Sequence, residues 1–343
     1  MKIKDFIDYE QPNEYIVESD RYSSKYSTPV LTAGQSFILG YTNESKGIYK
    51  KGPCIIFDDF TTSVHFVDFP FKVKSSAMKI LTTKSIADLK YCYYLLLSLS
   101  KMPPNHKRQW ISTTSEKNHL LPSIDKQISI VKQLDLISDT IAHYTNQIEN
   151  LDNLVKARFI EMFGNPVSNS KKWNKRTLKE VCNKLNDGTH FSPESFTKGD
   201  YKYITAKNIK LSGFDFSNIT YVSESVHRPI FERCNPELGD VLYIKDGATT
   251  GIAMVNTLKE EFTLLSSVAL LKQNRNIING YFLTALLNNE DMYSDIRNNM
   301  GGAAITRLTI TKLKDMKIIV PPLELQNQFA DFVQQVDKSK FGN

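Results

Sequence analysis

Two polar turns hold the residues most able to do chemistry in this sequence. Residues 187–190 are Asp-Gly-Thr-His, and residues 245–251 are Lys-Asp-Gly-Ala-Thr-Thr-Gly, directly after a predicted strand. Their carboxylates, hydroxyls, imidazole and ammonium can donate and accept hydrogen bonds to a ligand, and loops on a rigid sheet often carry recognition residues. Turn chemistry alone, with Gly supplying a positive φ, explains the same residues. Both interpretations stay open.

No pattern typical of catalysis is found. The chain lacks the phosphate-binding Gly-x-x-x-x-Gly-Lys-Ser/Thr and Gly-x-Gly-x-x-Gly loops, and it lacks the Asn/Asp-Pro-Pro-aromatic stretch of amino-methyltransferases. Residues 193–194 and 200–202 resemble a nuclease carboxylate cluster but are only five residues apart, and residues 47–49 (Gly-Ile-Tyr) begin a nuclease signature that has no second half. The six His residues show no metal-ligand spacing. The sequence therefore predicts binding, with no catalytic residue, metal or cofactor.

The charge is unevenly distributed along the 343 residues. The net charge is +6, and the surplus lies in residues 1–121 and 165–320, whereas 122–164 and 321–343 are slightly acidic. Basic globular segments on a neutral spacer suit DNA or RNA, although many basic surfaces bind no nucleic acid. No apolar run is long enough to span a membrane, and the N-terminus has no signal-peptide pattern. Four scattered cysteines predict buried thiols in a reducing cytoplasm: Cys54, Cys92, Cys182 and Cys234.

A long helix must position the two globular segments. Apolar residues alternate four and three apart from Ile124 to Phe163, which places one continuous stripe on a single helix face. Pro122 stands where a helix should begin, and Gly164 where it should end. A core helix inside one domain is the alternative to a helix that pairs with another helix. The residues expected to pair are Ile130, Leu134, Ile137, Ile141, Tyr144, Ile148 and Leu151.

Part of the sequence is repeated near the C-terminus, and the repeat predicts a second helix. Residues 121–127 (Leu-Pro-Ser-Ile-Asp-Lys-Gln) resemble residues 320–326 (Val-Pro-Pro-Leu-Glu-Leu-Gln), and Phe329, Val333 and Val336 continue in step with the first stripe. Residues 52–59 likewise resemble residues 239–246, and a Thr pair follows both segments. The repeat predicts two mixed α/β (α+β) bodies separated by an antiparallel coiled coil. The expected division is 1–121, 122–164, 165–320 and 321–343.

Local patterns fill in the two bodies. Residues 64–73 are expected to form a strand that ends in an edge signal, and 86–99 and 281–287 are expected to be helices. Residues 201–205 and 241–244 are expected to be strands. Residues 101–110 form a predicted loop in which basic residues and Trp110 suit phosphate contact and stacking, with a solvated loop anchored by one Trp as the alternative.

Several stretches together resemble the specificity subunit of type I restriction–modification systems, and the likeness covers nearly the whole chain. In the first half it is carried by 29–34 (Pro-Val-Leu-Thr-Ala-Gly), 38–42, 56–62 (Ile-Phe-Asp-Asp-Phe-Thr-Thr) and 69–78. In the second half it is carried by 187–190, the strand at 239–241 and the Pro-Pro-x-x-x-Gln helix start. Residues 157–159 and 162–166 resemble the end of that family's central helix.

The resemblance implies a non-catalytic subunit for bacterial defence. Each recognition domain of such a protein reads one half of a bipartite double-stranded DNA site. The paired helices dock two methyltransferase subunits, which use S-adenosylmethionine to methylate adenine, and restriction/translocase subunits join them. One departure is that the second helix ends after about 20 residues, so a truncated or recombined variant acting as a dimerising scaffold is the alternative. The residues expected to contact DNA are Thr32, Tyr41, Asp59, Thr61, Thr62, Lys72, Lys74, Arg108, Trp110, Asp187, Thr189, His190, Lys207, Lys245, Asp246, Thr249, Thr250 and Arg307.

Overall fold

The chain divides into two compact units, each described here by itself. A computed structural model of the protein describes residues 1–32, 36–101, 103, 107–298 and 308–341. Unit 1 is Met1–Tyr144 and unit 2 is Thr145–Asn343, so the boundary falls inside the long central helix.

Among its described residues, unit 1 has two small sheets, and one helix and the start of the long central helix pack on its core. The first sheet is antiparallel with the strand order β1-β7-β4-β5, and its strand β4 is buried at every position. The second sheet has the order β3-β2-β6. The elements are β1 (Ile7–Glu10), β2 (Thr28–Leu31), β3 (Ile38–Thr42), β4 (Cys54–Asp58), β5 (Val64–Val67), β6 (Lys72–Val73), β7 (Met78–Thr83) and α1 (Leu89–Leu99).

Two predicted elements of unit 1 differ from those observed. The strand expected over 64–73 is two strands in different sheets, because Pro70 interrupts it and cannot donate to a ladder. The helix expected from residue 86 begins at Leu89, because the carboxylate of Asp88 accepts the backbone N–H of Tyr91 at 2.8 Å and caps the helix there.

The central helix α2 confirms the predicted bounds. It runs from Ile124 to Phe163 without interruption. Its end coincides with Gly164, whose φ of +74° is left-handed and suits a glycine that terminates a helix.

Unit 2 contains a larger set of elements. In the described part of unit 2, the main sheet has the order β15-β14-β17-β9, and smaller sheets have the orders β13-β10-β16, β11-β12 and β18-β8. The elements are β8 (Lys175–Thr177), α3 (Leu178–Val181), β9 (Cys182–Asp187), β10 (Tyr201–Ile204), β11 (Ile209–Lys210), β12 (Gly213–Phe214), β13 (Thr220–Val222), α4 (Glu224–Arg233), β14 (Val241–Ile244), β15 (Ala253–Val255), β16 (Phe262–Leu264), β17 (Val268–Gln273), α5 (Gly280–Leu287), α6 (Glu290–Asn298), α7 (Ile310–Asp315), β18 (Lys317–Ile319) and α8 (Leu323–Phe341).

The two units share one topology, which confirms the predicted duplication. In the antiparallel main sheets, β9, β17, β14 and β15 occupy the places of β1, β7, β4 and β5. In the second sheets, β2 pairs antiparallel with β3 and parallel with β6, and β10 pairs antiparallel with β13 and parallel with β16. Unit 2 adds the β11-β12 hairpin and α4 between equivalent strands.

Within unit 2, the C-terminal helix α8 packs antiparallel on the end of α2. The ring of Phe329 lies 5.6 Å from the ring of Phe159, and the Lys340 ammonium lies 2.6 Å from a carboxylate oxygen of Asp152. Residue numbers rise along α8 as they fall along α2, so the two helices are antiparallel. Val333 packs against the same core, and Val336 is buried, as expected for pairing residues.

The rest of the predicted stripe on α2 has other surroundings. Ile130 packs on the core of unit 1, because the helix start is attached to that unit and its apolar face covers α1. Leu134 and Leu151 are half-buried. Four stripe residues are between 41% and 61% exposed in the described chain, so their pairing stays a prediction: Ile137, Ile141, Tyr144 and Ile148.

Candidate nucleic-acid interface

One edge of the main sheet in unit 2 gathers both polar turns. Strands β9 and β14 are each antiparallel to β17, which lies between them, so their carboxyl ends meet at one edge. There the buried Lys245 ammonium lies 2.7 Å from an oxygen of Asp246 and 3.4 Å from an oxygen of Asp187. A buried cation persists where carboxylates compensate it. Asp187 lies in one of the two polar turns and Lys245 and Asp246 lie in the other, and the fold brings the two turns into contact.

The Asp187 carboxylate also contacts two side chains that are exposed to solvent. Its second oxygen lies 3.2 Å from Nε2 of His190, whose side chain is 58% exposed, and 3.6 Å from the guanidinium of Arg233. A cavity of about 320 Å³ opens beside this carboxylate. Donors and acceptors therefore converge on a concave surface lined by Asn186, Asp187, His190, Lys245, Thr309 and Ile310.

Unit 1 has a similar arrangement at the equivalent edge. Lys79 is fully buried, with its ammonium 3.1 Å from one oxygen of Asp59 and 3.0 Å from the side-chain oxygen of Gln11. The other oxygen of Asp59 accepts the backbone N–H groups of Gln109 at 3.0 Å and Trp110 at 2.7 Å. A buried Lys–Asp pair thus stands beside the turn after β4, as one stands beside the turn after β14.

Burial corrects the role expected for several candidate residues. Trp110 is 1% exposed and packs edge-on against Phe57 in the core, so it offers no face for base stacking. The Lys72 ammonium is also buried, because it pairs with Glu44 at 2.7 Å and donates to the carbonyl of Lys46. The candidate side chains that are buried in this structure are Asp59, Thr62, Lys72, Trp110, Asp187, Thr189, Lys245 and Thr250.

Other candidates are accessible. Tyr41 is 37% exposed and lines a cavity of about 500 Å³ together with Lys50 and Phe69. Arg108, Lys207 and Thr249 are exposed. Lys74 is partly exposed and pairs with Asp20, Thr61 donates to Asp58, and the backbone N–H of Thr32 donates to the carbonyl of Phe37. Arg307 lies outside the described residues.

Exposed aromatic rings in unit 2 were missed by the sequence reasoning. Phe191 is 59% exposed and Phe196 is 48% exposed, and the Lys202 ammonium lies 5.8 Å from the ring centre of Phe216. The signal that could have found them is the mixture of aromatic and basic residues between 191 and 216, which includes Phe191, Phe196, Lys198, Lys202 and Phe216.

The titratable groups away from these edges have structural roles. His227 is stacked on Tyr201 with ring centres 3.9 Å apart, and burial lowers its pKa. Cys54, Cys92 and Cys234 are buried as predicted, whereas Cys182 is only half-buried; desolvation raises the pKa of all four thiols to about 12. The described residues contain no group of ligands suited to a metal ion, and none of their helices is long and apolar enough to cross a membrane.

Comparison with known proteins supplies a family likeness. The family described as "Type I restriction modification DNA specificity domain" matches residues 170–342. The chain is 30% identical over 346 residues to the specificity subunit of the type I restriction enzyme EcoR124I/EcoR124II of Escherichia coli, covering 96% of this chain and 84% of that protein. It is 21% identical over 364 residues to the type I restriction enzyme MjaVIII specificity subunit of Methanocaldococcus jannaschii, covering 98% of this chain and 85% of that protein. The type I restriction–modification S subunit from M. genitalium shares the fold, with a TM-score of 0.66 at 17% identity over 99% of this chain and 89% of the other.

Proposed function

Because the chain belongs to the family of type I restriction–modification specificity subunits, we propose that each unit reads one half of a bipartite double-stranded DNA site through the sheet edge described above. As a specificity subunit, it directs the methyltransferase and restriction subunits to their DNA. We assign to the chain no catalytic group of its own. The methyltransferase partners supply S-adenosylmethionine and the methyl transfer, and the complex works in the cytoplasm.

The repeated edge is the observation that carries this proposal. Both units have a buried Lys–Asp pair beside the turn that follows equivalent strands, β4 and β14, although the lysine lies on β7 in unit 1 and directly after β14 in unit 2. The buried pair keeps the turn rigid, and rigid presentation limits the conformational entropy that is lost when DNA binds. Two such edges, one in each unit, suit a DNA site that consists of two half-sites.

The groups around Asp187 suit the edge of a base. A carboxylate oxygen in the cavity can accept a hydrogen bond from the exocyclic amino group of cytosine or adenine. His190, which is held at 3.2 Å by the same carboxylate, can approach a neighbouring base. Arg233 and Arg108 are exposed cations, which suit phosphate contacts that position the protein without specifying sequence.

The test is the methylated motif of the reconstituted methyltransferase complex, read by sequencing. We expect His190→Ala and Thr249→Ala to change the bases recognised in one half-site and to leave the other half-site unchanged. Arg108→Ala should weaken binding across all sequences and reduce the salt slope by about one. Lys132→Ala, on the exposed side of α2, is the matched control and should change neither property.

The purified chain alone should neither cleave DNA nor transfer methyl groups. If His190→Ala, Thr249→Ala and Arg108→Ala leave both half-sites and the affinity unchanged, the sheet edges are not the reading surfaces. Nuclease or methyltransferase activity in the isolated chain, free of contaminants, would contradict the non-catalytic assignment.

A further inference from the structure

The β11-β12 hairpin of unit 2 begins at the same sheet edge as the two polar turns. The hydroxyl of Ser267 accepts the backbone N–H of Ala206 at 3.3 Å, and its carbonyl accepts the backbone N–H of Lys245 at 2.9 Å. One short turn separates Ala206 from β11. Ile209 of β11 packs in the same core cluster as Ile244, the last residue of β14. The hairpin therefore lies beside the candidate interface.

The base of the hairpin is held by several contacts. Strand β11 pairs antiparallel with β12. Next to this pair, the carbonyl of Asn208 accepts the N–H of Asp215 at 2.8 Å, and the side-chain amide of Asn208 donates to the carbonyl of Asp215 at 3.1 Å. The ring of Phe214 packs edge-on against the buried ring of Phe262. An element fixed at its base loses little conformational entropy when its tip binds a ligand.

The tip of the hairpin is apolar and exposed. Lys210 pairs with Gly213, so Leu211 and Ser212 form the tip, and the side chain of Leu211 is 71% exposed. Ile209 is fully buried and makes the contact of this strand with the core. The fold therefore does not require an apolar side chain at the tip. A single exposed leucine needs no explanation by itself, so the charges around it decide what it suits.

The charges around the tip are positive. Residues 201–214 contain three lysines and no carboxylate, and two of the lysines, Lys207 and Lys210, are exposed. Asp215 follows directly, and its carboxylate accepts the N–H of Ser217 at 3.0 Å and the hydroxyl of Ser217 at 2.6 Å. An apolar tip beside two cations complements a surface that joins negative charge to an apolar group. In the major groove of DNA, the phosphates and the methyl group of thymine provide both.

We propose that Leu211 is a specificity-determining residue that contacts the methyl group of one thymine in the half-site read by unit 2. Lys207 and Lys210 contact the phosphates beside that thymine. The proposal rests on the proposed function, in which Asp187 meets a base amino group that also lies in the major groove. A leucine side chain has no hydrogen-bond donor or acceptor, so it distinguishes thymine by the methyl group alone. The described part of unit 1 has no such hairpin, so the contact belongs to one half-site.

Four substitutions separate this contact from other roles of the hairpin. Leu211→Ala removes the apolar contact, whereas Leu211→Met keeps an apolar side chain of similar volume. Lys210→Gln removes one charge and leaves Leu211 in place. Leu238→Ala is the matched control, because Leu238 is also an exposed leucine of unit 2 but lies before the amino end of β14, away from the edge that holds Lys245.

The measurement is the affinity of the reconstituted methyltransferase complex for duplexes that carry its methylated motif. Each thymine of the motif is replaced in turn by deoxyuridine, which removes only the methyl group. The unmodified complex should lose affinity about fourfold at one thymine, the effect of one buried methyl group. Leu211→Ala should bind the thymine and deoxyuridine duplexes equally at that position, which is the result of a double-mutant cycle for two groups in contact.

The other variants should keep the response to deoxyuridine. Leu211→Met and Leu238→Ala should show the same fourfold loss as the unmodified complex. Lys210→Gln should also keep this loss, while its salt slope should fall by about one, as expected for a phosphate contact. The sensitive thymine should lie in the half-site whose bases change in His190→Ala and Thr249→Ala.

Three results would overturn the proposal. The first is an equal loss on deoxyuridine in Leu211→Ala and the unmodified complex at every position. The second is a sensitive thymine in the half-site that His190→Ala and Thr249→Ala leave unchanged. The third is a Leu211→Ala chain that no longer assembles with the methyltransferase subunit, which would assign the tip to a protein contact.

Failure of this proposal is distinguishable from failure of the proposed function. If His190→Ala and Thr249→Ala change one half-site while deoxyuridine has no effect at any position, the sheet edge reads DNA and only the contact of Leu211 is wrong. If those two variants and Arg108→Ala change nothing, the proposed function is wrong, and the proposal for Leu211 is overturned with it.

Discussion

Gln127 and Gln326 make the same three hydrogen bonds, one residue in each unit. In unit 1, the side-chain oxygen of Gln127 accepts the N–H of Asp88 at 2.8 Å, and its amide nitrogen donates to the carbonyls of Pro122 at 2.8 Å and Ile86 at 3.2 Å. The bonds tie the first turn of α2 to the segment that starts α1.

In unit 2, Gln326 has equivalent partners. Its oxygen accepts the N–H of Asn279 at 2.9 Å, and its nitrogen donates to the carbonyls of Pro321 at 2.8 Å and Ile277 at 3.2 Å. Both glutamines are fully buried. Each one therefore joins a spacer helix to the N-terminus of the helix that packs on its sheet.

We expect Gln127→Ala and Gln326→Ala to destabilise one unit each. Removal of the amide leaves one N–H and two carbonyls without partners, at a cost of about 1–3 kcal/mol for a buried unsatisfied group. Amide hydrogen exchange should accelerate in α1 and the start of α2 for Gln127→Ala, and in α5 and α8 for Gln326→Ala. Acceleration in both units from a single change would contradict the assignment of separate roles.

The spacer helix should set the distance between the two half-sites. Seven residues inserted after Tyr144 preserve the stripe, lengthen the helix by about 10 Å and leave the Asp152–Lys340 contact intact. At about 3.4 Å per base pair, the gap between half-sites should grow by about three base pairs. The measurement is the methylated motif of the complex.

An insertion of four residues at the same point is the control, because it changes the direction in which the apolar stripe faces. It rotates the stripe by about 40° beyond a full turn and should reduce methylation. If the seven-residue insertion leaves the gap unchanged while methylation stays strong, the methyltransferase subunits position the reading units instead of the helix.

Acidification should destabilise unit 2 through His227. Burial lowers the pKa of this imidazole below 6.5, and its hydrogen bond to Glu261 opposes the shift without cancelling it. Between the folded pKa and 6.5 the unfolded state binds more protons, so the stabilisation present above pH 6.5 is lost as the pH falls. The slope for one proton is at most about 1.4 kcal/mol per pH unit.

The comparison of unmodified protein with His227→Gln isolates this residue. Thermal unfolding at pH 7.5 and pH 5.5 should show a smaller loss of stability for the variant. Glutamine can keep a hydrogen bond to Thr263, which His227 makes at 2.8 Å, without binding a proton. An equal loss in both proteins would assign the pH dependence to other groups, such as His65 and His119 in unit 1, whose pKa values burial also lowers.

Local patterns were sufficient to predict much of the fold. The bounds of α2 follow from a heptad stripe between Pro122 and Gly164, since periodicity and helix-ending residues act within a few positions of one another. The duplication was visible because a buried glutamine and the prolines before it keep their spacing in both copies. The predicted start of α1 was wrong, because a single capping side chain, Asp88, determines where the helix begins.

The candidate site was harder to predict, because burial depends on partners far away in the chain. Lys245 is buried through Asp187, 58 residues earlier, and Trp110 is held by Asp59, 51 residues earlier. A sequence shows that such residues are polar or aromatic, but only the fold shows which of them point inward. The choice of the two polar turns as contact surfaces stays a prediction, and the fold adds that Asp59 and Thr62, which were expected to contact DNA, are buried.

The exposed apolar residues of α2 have a practical consequence for work with the isolated protein. Ile137, Ile141, Tyr144 and Ile148 are exposed apolar side chains on α2, and Leu136 and Leu154 on the same helix are exposed as well. Sulfate and other strongly hydrated salts strengthen apolar association, whereas salt weakens contacts with phosphates. A high concentration of sulfate during purification should therefore remove contaminating nucleic acid. The same salt should promote aggregation of the protein through the exposed apolar residues of α2. Mild conditions, or co-expression with a methyltransferase subunit, are the better route to a soluble sample.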